Sequence, residues 1–357
     1  LQFASMTLGN HEYDWGEEYI EQNATLAEFP VLGINVFDPD TNERETYAQP
    51  SVTIEKSGVK IGIIGAIGDC YSSIASDKKE DVYFKTGDQL TELVKAESTR
   101  LREKGADVIV YSLHDSGNSY AEYYDTALSN GYVDLVFEGH SHSSVQKQDE
   151  YGVWHLQAGG DNKTGLSHAR VHVDLITGDN DVERPQLPDH NDYAALDDDP
   201  IVNELLEKYA DAIEKMNEYL GMNDEYRNSD ALKAYAAQAM FEAGYARWRG
   251  DERYADKIVL GGGYLNVRSP YYLRKGKVTY GDIQSLFPFD NYLVLCKVTG
   301  TRLLQQFINN GDYVCYYGED GENIKNNLNG NGTYYVVVDT YCANYDFKGM
   351  GFLEIVE

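Results

Sequence analysis

The sequence predicts an α/β protein with two domains. Its 357 residues exceed the roughly 250–300 at which a single hydrophobic core stops growing. In the first half, short apolar runs typical of buried strands alternate with segments that have an apolar stripe at helical spacing. A proline-containing acidic stretch, Asp179 to Pro200, separates this half from a second one that also mixes helix and strand patterns.

The elements of the first half follow from these patterns. Val59 to Ala66 (VKIGIIGA) is almost continuously apolar, as expected for a strand covered on both faces. Gly87 to Lys104 predicts a helix, because its leucines and Val94 fall on one stripe. The remaining predictions, in chain order, are a strand at Asp107–Leu113, a helix near Tyr120–Asn130, and strands at Val133–Phe137, Val153–Ala158 and His168–Leu175.

The stretch from Asp179 to Pro200 is interpreted as an inter-domain connection that leads into a helix at Ile201–Leu220. The predicted organisation is a first domain at 1–178, a linker with its helix at 179–220, and a second domain at 221–357. Within the second domain the predicted elements are a helix at Asp230–Arg249, strands at Lys257–Leu260, Tyr292–Val298 and Thr333–Asp339, and a helix at Thr301–Asn310.

The charge of the chain limits its partners. A net charge of -29 repels nucleic-acid backbones and acidic membranes, so a nucleic acid polymer is not expected as a partner. No apolar run reaches the roughly 18 residues needed to span a bilayer, and no membrane segment is expected. The four cysteines form no CxxC pair and are not a zinc-finger set: they are Cys70, Cys296, Cys315 and Cys342. The oligomeric state is left open.

The first cluster with chemical potential is Gly9-Asn10-His11-Glu12-Tyr13-Asp14. Asn10 offers a neutral oxygen to a hard cation, and His11 offers an imidazole that titrates near neutral pH. Asp14 is a carboxylate that could orient that imidazole. Taken alone, the same residues could be a loop with a capping asparagine.

Two further groups of histidines follow predicted strands. His114 stands where DVIVYSL ends, and Gly139-His140-Ser141-His142 follows DLVFE. Side chains at the carboxyl ends of strands face the crevice where α/β proteins bind ligands. His140 and His142, two residues apart in an extended turn, could ligate neighbouring metals. A structural histidine and a polar loop are the alternatives.

Taken together and in this order, these motifs resemble the calcineurin-like metallophosphoesterases, and TLGNHEYDWG is similar to the 5'-nucleotidase branch. The resemblance implies a four-layer metallophosphoesterase sandwich plus a smaller α/β C-terminal substrate-binding domain. It implies that Asn10, His114 and His140 are ligands of one divalent metal and His142 a ligand of a second. His11 would be the catalytic acid or transition-state stabiliser, held by Asp14. The two ions could be Zn, Mn, Fe, Mg or Co.

The second domain resembles the same branch independently, in GGGYLNVR followed by GKVTYGDIQSLFPFDN. The resemblance implies that a glycine-rich turn with Gly262 and Gly263 approaches the nucleotide while Arg268 reaches its polar groups. Phe289 would stack on one face of the base. Tyr341 is the best match for the opposite aromatic, with Tyr345 and Phe347 as rivals.

The family's metal set begins with Asp-x-His and Gly-Asp upstream of GNHE, and only eight residues precede Gly9 here. We therefore expect a sandwich incomplete at its N-terminus that holds at most one ion and whose catalysis is impaired. The expected activity of the intact protein is hydrolysis of nucleoside 5'-monophosphates to nucleoside and phosphate. UDP-sugar or 2',3'-cyclic nucleotide hydrolysis, a catalytically inactive nucleotide-binding module and a purely structural surface protein are the alternatives. Because family members are typically exported, the expected location is extracellular, cell wall or periplasmic.

Overall fold

The computed structural model describes residues 3–74, 82–115, 128–159, 166–187, 197, 199–254, 257–268, 270–289, 291–309, 311–318, 321–345 and 354–355. The chain divides into two compact units, Leu1–Asp199 and Pro200–Glu357. Each unit mixes helices with a central sheet of its own, as the α/β prediction requires.

The first unit is built around a six-stranded mixed sheet with the order β4-β5-β7-β8-β10-β9. Strands β5, β7, β8 and β10 are parallel neighbours, while β4 and β9 pair antiparallel at the two edges. Three two-stranded pairs accompany it: β1-β2, β3-β6 and β11-β12. The strands are β1 (Met6–Thr7), β2 (Val31–Leu32), β3 (Val36–Phe37), β4 (Ser51–Lys56), β5 (Val59–Ile67), β6 (Tyr83–Phe84), β7 (Val108–His114), β8 (Leu135–Glu138), β9 (Val145–Gln148), β10 (Trp154–Gln157), β11 (His168–Val173) and β12 (Asn180–Gln186).

Two α-helices and two short 3-10 turns complete the described part of this unit. Helix α1 spans Glu17–Leu26, and α2 spans Gly87–Glu103. The 3-10 turns are Asn10–Tyr13 and Tyr71–Ser73. The apolar stripe of α2 packs on the buried residues of β5, β7 and β8 to form one core. A second core joins the segments that carry β1, α1, β3 and β6.

The predicted strands of the first unit are confirmed, as is its long helix. The predicted helix near Tyr120–Asn130 lies outside the described residues except at its end. One prediction is wrong: Asn180–Gln186, taken as part of the linker, forms β12 and pairs antiparallel with β11. The side chains of β12 are mostly exposed, so this strand lacks the apolar alternation by which a strand is recognised in a sequence.

The second unit has a five-stranded mixed sheet with the order β19-β15-β20-β18-β21. Strands β15 and β20 are parallel at its centre, and the other pairs are antiparallel. Two small pairs, β13-β17 and β14-β16, lie outside this sheet. The strands are β13 (Tyr219–Asn223), β14 (Arg227–Asn228), β15 (Ile258–Gly263), β16 (Tyr272–Leu273), β17 (Gly276–Thr279), β18 (Leu293–Thr299), β19 (Val314–Tyr316), β20 (Thr333–Asp339) and β21 (Glu354–Ile355).

The helices of this unit have identifiable start signals. The Asn228 side chain accepts a hydrogen bond from the Ala231 N–H at the start of the longest helix. Thr279 and Asp282 form a reciprocal capping box before another. The helices are α3 (Pro200–Glu207), α4 (Ala210–Met216), α5 (Ser229–Trp248), α6 (Tyr280–Leu286), α7 (Gly300–Leu303, continued by the π-helical turn Leu304–Ile308), α8 (Gly321–Asn326) and α9 (Thr340–Tyr345).

The predicted helix at Ile201–Leu220 is instead two short helices that end at Met216, and Tyr219 already begins β13. Between them, Lys208 and Tyr209 donate backbone hydrogen bonds to carbonyls three residues earlier, which marks a tight turn. Among the described residues, no helix is both long and apolar enough to cross a bilayer.

Candidate functional site

Two neighbouring parallel strands, β7 and β8, bring the predicted histidines to one edge of the six-stranded sheet. His114 is the last residue of β7 and pairs with Ile67, the last residue of β5. The segment that contains His140 follows directly after β8, which pairs with β7. Because parallel strands end on the same side, these imidazoles share the crevice outside the carboxyl ends of the sheet.

Asn10 joins the two histidines from the turn that follows β1. It is 2% exposed, and its Oδ1 lies 2.9 Å from His114 Nε2 and 3.1 Å from His140 Nδ1. The two imidazole rings meet edge to face, with 5.2 Å between their centroids. The structure thus brings together the three residues predicted to bind one metal, and their role as ligands stays a prediction.

Gly9 permits this arrangement by lacking a side chain. A Cβ atom at this position would lie 2.6–2.8 Å from three atoms of the His114 ring. Real Cβ contacts are not this short, so any other residue would displace the ring. The close packing of Gly9 on His114 therefore fixes where the imidazole stands relative to Asn10.

Both imidazoles are held in their neutral form. Burial lowers the pKa of His114 to about 4, with smaller contributions from His140, His11 and His142. Burial also lowers the pKa of His140, against the opposing effect of the Asp115 carboxylate. A neutral imidazole has a free nitrogen lone pair, which is the state that binds a metal ion.

The loop after β8 has an unusual backbone. His140 and His142 adopt left-handed conformations, with φ of 74° and 56°. Such angles are uncommon for residues other than glycine and need support from their surroundings. The buried Gln157 provides it: its Nε2 donates to Ser141 Oγ at 2.9 Å and to the Ser143 carbonyl at 2.6 Å. His142 is exposed, and its assignment to a second metal stays a prediction.

His11 and Asp14 form the predicted pair. His11 Nδ1 lies 2.8 Å from Asp14 Oδ2, and the His11 side chain is 47% exposed. Asp14 therefore fixes one ring nitrogen, and about half of the His11 side chain is exposed to solvent. The geometry suits a histidine that delivers a proton or a hydrogen bond, and this role stays a prediction.

Sequence reasoning missed two residues at this edge. Cys70 follows β5, and its Sγ lies with one ring nitrogen each of His114 and His140 in a group whose members are all within 4.8 Å of one another. Gln157, at the end of β10, supports the histidine loop. Each follows or ends an apolar strand, but the pairing of the strands, which the sequence does not show, determines which residues they meet.

Four of the eight histidines lie outside this predicted set. His155 is buried between Glu138 Oε1 at 2.8 Å and Asp149 Oδ2 at 3.4 Å, which agrees with a structural role. His168 and His172 lie in β11, and His172 faces Glu183 at the surface. His190 lies outside the described residues.

In the second unit, two predicted substrate residues are in contact. The Arg268 guanidinium lies over the Phe289 ring, 5.2 Å from its centroid. The Arg268 N–H donates to the Leu286 carbonyl at the end of α6, which fixes the arginine beside the segment that carries Phe289. Phe289 is 49% exposed, so part of the ring is open to a stacking partner.

Tyr341 is 46% exposed and lies close in the fold to the same segment. Its neighbour Thr340 donates from its N–H to the Tyr292 carbonyl and from its hydroxyl to Asn291 Oδ1. These bonds tie the start of α9 to the residues that follow Phe289. The side chain of the rival Tyr345 and all of Phe347 lie outside the described residues.

The predicted glycine-rich turn is not a turn. Gly262 and Gly263 are the last residues of β15, both buried, with φ of 132° and 154°. A Cβ at Gly262 would meet the Val314 carbonyl oxygen at 2.1 Å, and one at Gly263 would meet Cys342 Sγ at 2.7 Å. Packing of β15 against β19 and α9 therefore explains both glycines, and their contact with a substrate stays a prediction.

Comparison with known proteins finds similarity to 5'-nucleotidases and related proteins over most of the chain. Residues 218–316 match the family model described as the 5'-nucleotidase C-terminal domain. An apyrase from Tabanus yao is 35% identical over 146 residues, which make up 41% of this chain and 25% of the apyrase. Protein UshA from Yersinia enterocolitica is 23% identical over 346 residues, covering 84% of this chain and 61% of UshA.

Among solved structures, a 5'-nucleotidase precursor from Thermus thermophilus matches with a TM-score of 0.68 and 20% sequence identity. The match covers 96% of this chain and 75% of that one. A 5'-nucleotidase from Candida albicans matches with a TM-score of 0.64 and 12% identity, covering 99% of this chain and 80% of that one.

The chain thus shares the fold of these solved structures, with two α/β units that each have a sheet of their own. Residues 218–316 match the 5'-nucleotidase C-terminal domain model, and most of the chain is similar, at low identity, to protein UshA and to solved 5'-nucleotidases. The chain spans from a quarter to about three fifths of the length of the first curated relatives it matches.

Proposed function

We propose that the protein hydrolyses phosphate esters of nucleotides, with nucleoside 5'-monophosphates as the preferred substrates. The observation that carries the proposal is the cluster formed by Asn10, in the turn after β1, with His114 at the end of β7 and His140 just after β8. The names of the relatives support the same chemistry, since they include an apyrase, a 5'-nucleotidase and a 2',3'-cyclic-nucleotide 2'-phosphodiesterase/3'-nucleotidase.

The donor set fits a divalent metal ion. One amide oxygen and two neutral imidazoles converge, and neither imidazole carries a charge that would repel a cation at neutral pH. Asn10, His114 and His140 would hold one ion, and His142 would contribute to the binding of a second. When bound, such ions stabilise charge on phosphoryl oxygens and lower the pKa of water. Zn, Mn, Fe, Mg and Co are all compatible with this set.

His11 is the proposed acid of the reaction. With Nδ1 engaged by Asp14, its Nε2 can donate a hydrogen bond or a proton to the ester oxygen that leaves with the nucleoside. The exposed position of His11 suits this role because the phosphate arrives from solvent. Asp14 sets the tautomer and stabilises the protonated ring.

Phe289 and Tyr341 are the proposed partners of the base, and Arg268 the residue that reaches polar groups of the substrate. Both aromatics are half-exposed, and stacking accepts any base, so a broad range of nucleotides is expected. The same features suit a UDP-sugar or a 2',3'-cyclic nucleotide, which are the alternative substrates within this chemistry.

The test is phosphate release from adenosine monophosphate by the full-length gene product with manganese or zinc. We expect His11→Gln to lower kcat about 100-fold or more, the usual contribution of a general acid. His172→Gln, which changes an exposed histidine in β11 of the same unit, should keep full activity. Equal rates for the two variants would remove His11 from the mechanism.

The same assay separates the alternatives from other classes. An inactive nucleotide-binding module would bind adenosine monophosphate in a calorimetric titration without releasing phosphate. A purely structural surface protein would do neither. Either result with the unsubstituted protein would contradict the proposed hydrolysis.

We also propose that the protein acts outside the cytoplasm, at the cell wall, in the periplasm or in the medium. The large negative net charge supports this, because acidity of this size favours solubility in salt. Cell fractionation with an antibody against the protein tests it, and recovery in the cytoplasmic fraction alone would contradict it.

A further inference from the structure

Cys70 lies at the edge of the sheet that carries the metal-binding candidates. It precedes the 3-10 turn Tyr71–Ser73, three residues after β5 ends at Ile67. Strand β5 is the parallel neighbour of β7, so the chain after β5 emerges beside His114. Cys70 thus reaches the histidines from a third strand end, which differs from the three segments that carry Asn10, His114 and His140.

The distances place its sulfur among the donors. Cys70 Sγ and one nitrogen each from His114 and His140 are all within 4.8 Å of one another. Among the described residues, no other group of three cysteine, histidine or acidic side chains meets this criterion. Asn10 Oδ1 is in hydrogen-bond contact with both imidazoles. Asn10 Oδ1 is thus a fourth candidate donor beside these two imidazoles, and four is the number of ligands that a tetrahedral zinc site requires.

Packing in an apolar core explains why Cys70 is buried but not why two imidazoles lie beside its sulfur. The residue is 1% exposed and belongs to an apolar core, where a cysteine can act as a small hydrophobic residue. Cys296 and Cys342 are buried in the same manner in the second unit, yet neither lies in such a group of donors among the described residues. Burial alone therefore does not account for two imidazoles beside the Cys70 sulfur.

The surroundings also argue against a reactive thiol. Burial raises the pKa of Cys70 to about 12, and the Asp115 carboxylate adds to this shift. A thiol of this kind stays protonated at neutral pH and is a poor nucleophile. The negative field of Asp115 favours a cation at the same place.

We propose that Cys70 is an additional ligand of the metal held by Asn10, His114 and His140, and that it gives this site a preference for zinc-class ions over magnesium and manganese. Binding releases the thiol proton to solvent, and the thiolate then coordinates the dication. A soft sulfur ligand beside two imidazoles suits Zn²⁺ and its substitute Co²⁺, whereas Mg²⁺ and Mn²⁺ prefer oxygen ligands. The inference rests on the metal site of the proposed function but not on its substrate.

The test is titration of the metal-free full-length gene product with Co²⁺, followed by absorption spectroscopy. Thiolate coordination to Co²⁺ produces a charge-transfer band in the near ultraviolet that oxygen and nitrogen ligands do not. We expect this band in the unsubstituted protein and in Cys296→Ser, and its loss in both Cys70→Ser and Cys70→Ala. Addition of Zn²⁺ should abolish it by displacing Co²⁺.

Affinity provides a second measurement. Cys70→Ser should weaken Zn²⁺ binding at least about tenfold in competition with a chelator and leave Mn²⁺ binding nearly unchanged. Circular dichroism checks that each variant is folded, and the alanine variant, which is smaller than cysteine, serves if serine is not tolerated. A band that persists without Cys70, or no band in the unsubstituted protein, would overturn the proposal.

The result of the Co²⁺ titration can be distinguished from the result of the phosphate-release assay that tests the proposed function. Phosphate release from nucleotides without the charge-transfer band would remove Cys70 as a ligand and leave the hydrolase proposal intact. The band without phosphate release would support Cys70 as a ligand and contradict the hydrolase proposal.

Discussion

Glu45 shows how strongly burial and neighbouring acidic residues can raise the pKa of one side chain in this chain. Its pKa is raised to about 7, first by burial and then by the charges of Glu17, Asp38 and Glu21. The folded protein therefore keeps a proton on Glu45 up to nearly neutral pH, whereas the unfolded chain releases it near the ordinary value of 4.5. Stability consequently falls as pH rises from about 4.5 to about 7, and the loss is complete above that range.

Glu45→Gln should remove this loss, because glutamine cannot ionise. We expect the melting temperature of the variant to exceed that of the unsubstituted protein at pH 8 and to equal it near pH 4, as measured by calorimetry. Glu43→Gln is the matched control, since it removes a carboxylate from an exposed neighbour. A gain of the same size at both pH values would show that ionisation of Glu45 is not the cause.

The sequence alone was sufficient to predict some residues of the candidate site but not others. Asn10, His114 and His140 were found because each stands in a short motif or at a strand end, and the structure brings them together. Cys70 was not found, because its proximity to His114 depends on β5 being the parallel neighbour of β7. No spacing along the chain records that pairing.

At the scale of elements, helix α5 and the central strands of the second unit approach each other through glycines. A Cβ at Gly261 in β15 would meet the backbone N of Phe241 at 2.4 Å. One at Gly244 in α5 would meet Val337 Cγ2 in β20 at 2.5 Å. The helix therefore lies on the sheet more closely than larger residues would permit.

Gly244→Ala should destabilise the protein although alanine is the better helix former. The added methyl group forces Val337 or the helix to move, at a cost of about 1–3 kcal/mol, against an intrinsic gain of about 1 kcal/mol for Ala over Gly. We expect a lower urea midpoint for this variant. Gly250→Ala, where no atom lies within 4 Å of the added Cβ, should show no such decrease. A raised midpoint for Gly244→Ala would contradict the close packing.

Strands with an apolar sequence pattern were predicted correctly, whereas strands without such a pattern were not. Strands β5 and β20 read as apolar runs, and both are interior strands of their sheets. Strand β12 has mostly exposed side chains, so its charged sequence resembled a linker. The glycines of β15 resembled a flexible turn because a sequence does not show that Val314 and Cys342 pack against them.

At the scale of the whole molecule, charge is the dominant property. Asp and Glu number 59 against 30 Lys and Arg, for a net charge of -29. The field of this charge extends about 30 Å into a solution of about 0.01 M salt but only about 10 Å at about 0.1 M. An anionic nucleotide approaching at low salt is therefore repelled before it reaches any local cation.

We expect the dissociation constant of adenosine monophosphate to decrease when salt is raised from about 0.01 M to about 0.1 M, because screening removes this repulsion. Neutral adenosine should bind equally at both concentrations and serves as the control in the same calorimetric titrations. Weaker binding of the monophosphate at the higher salt would show that local positive charge outweighs the net charge.

The separation of the histidine cluster along the chain has a consequence for folding kinetics. Asn10 meets His114 across 104 positions and His140 across 130, and each contact depends on a different strand of the sheet. Contacts this distant form slowly, because the chain must close large loops before they stabilise anything. The cluster can therefore assemble only after β7 and β8 are paired. During refolding, the appearance of a high-affinity metal site would mark the completion of this sheet and not its nucleation.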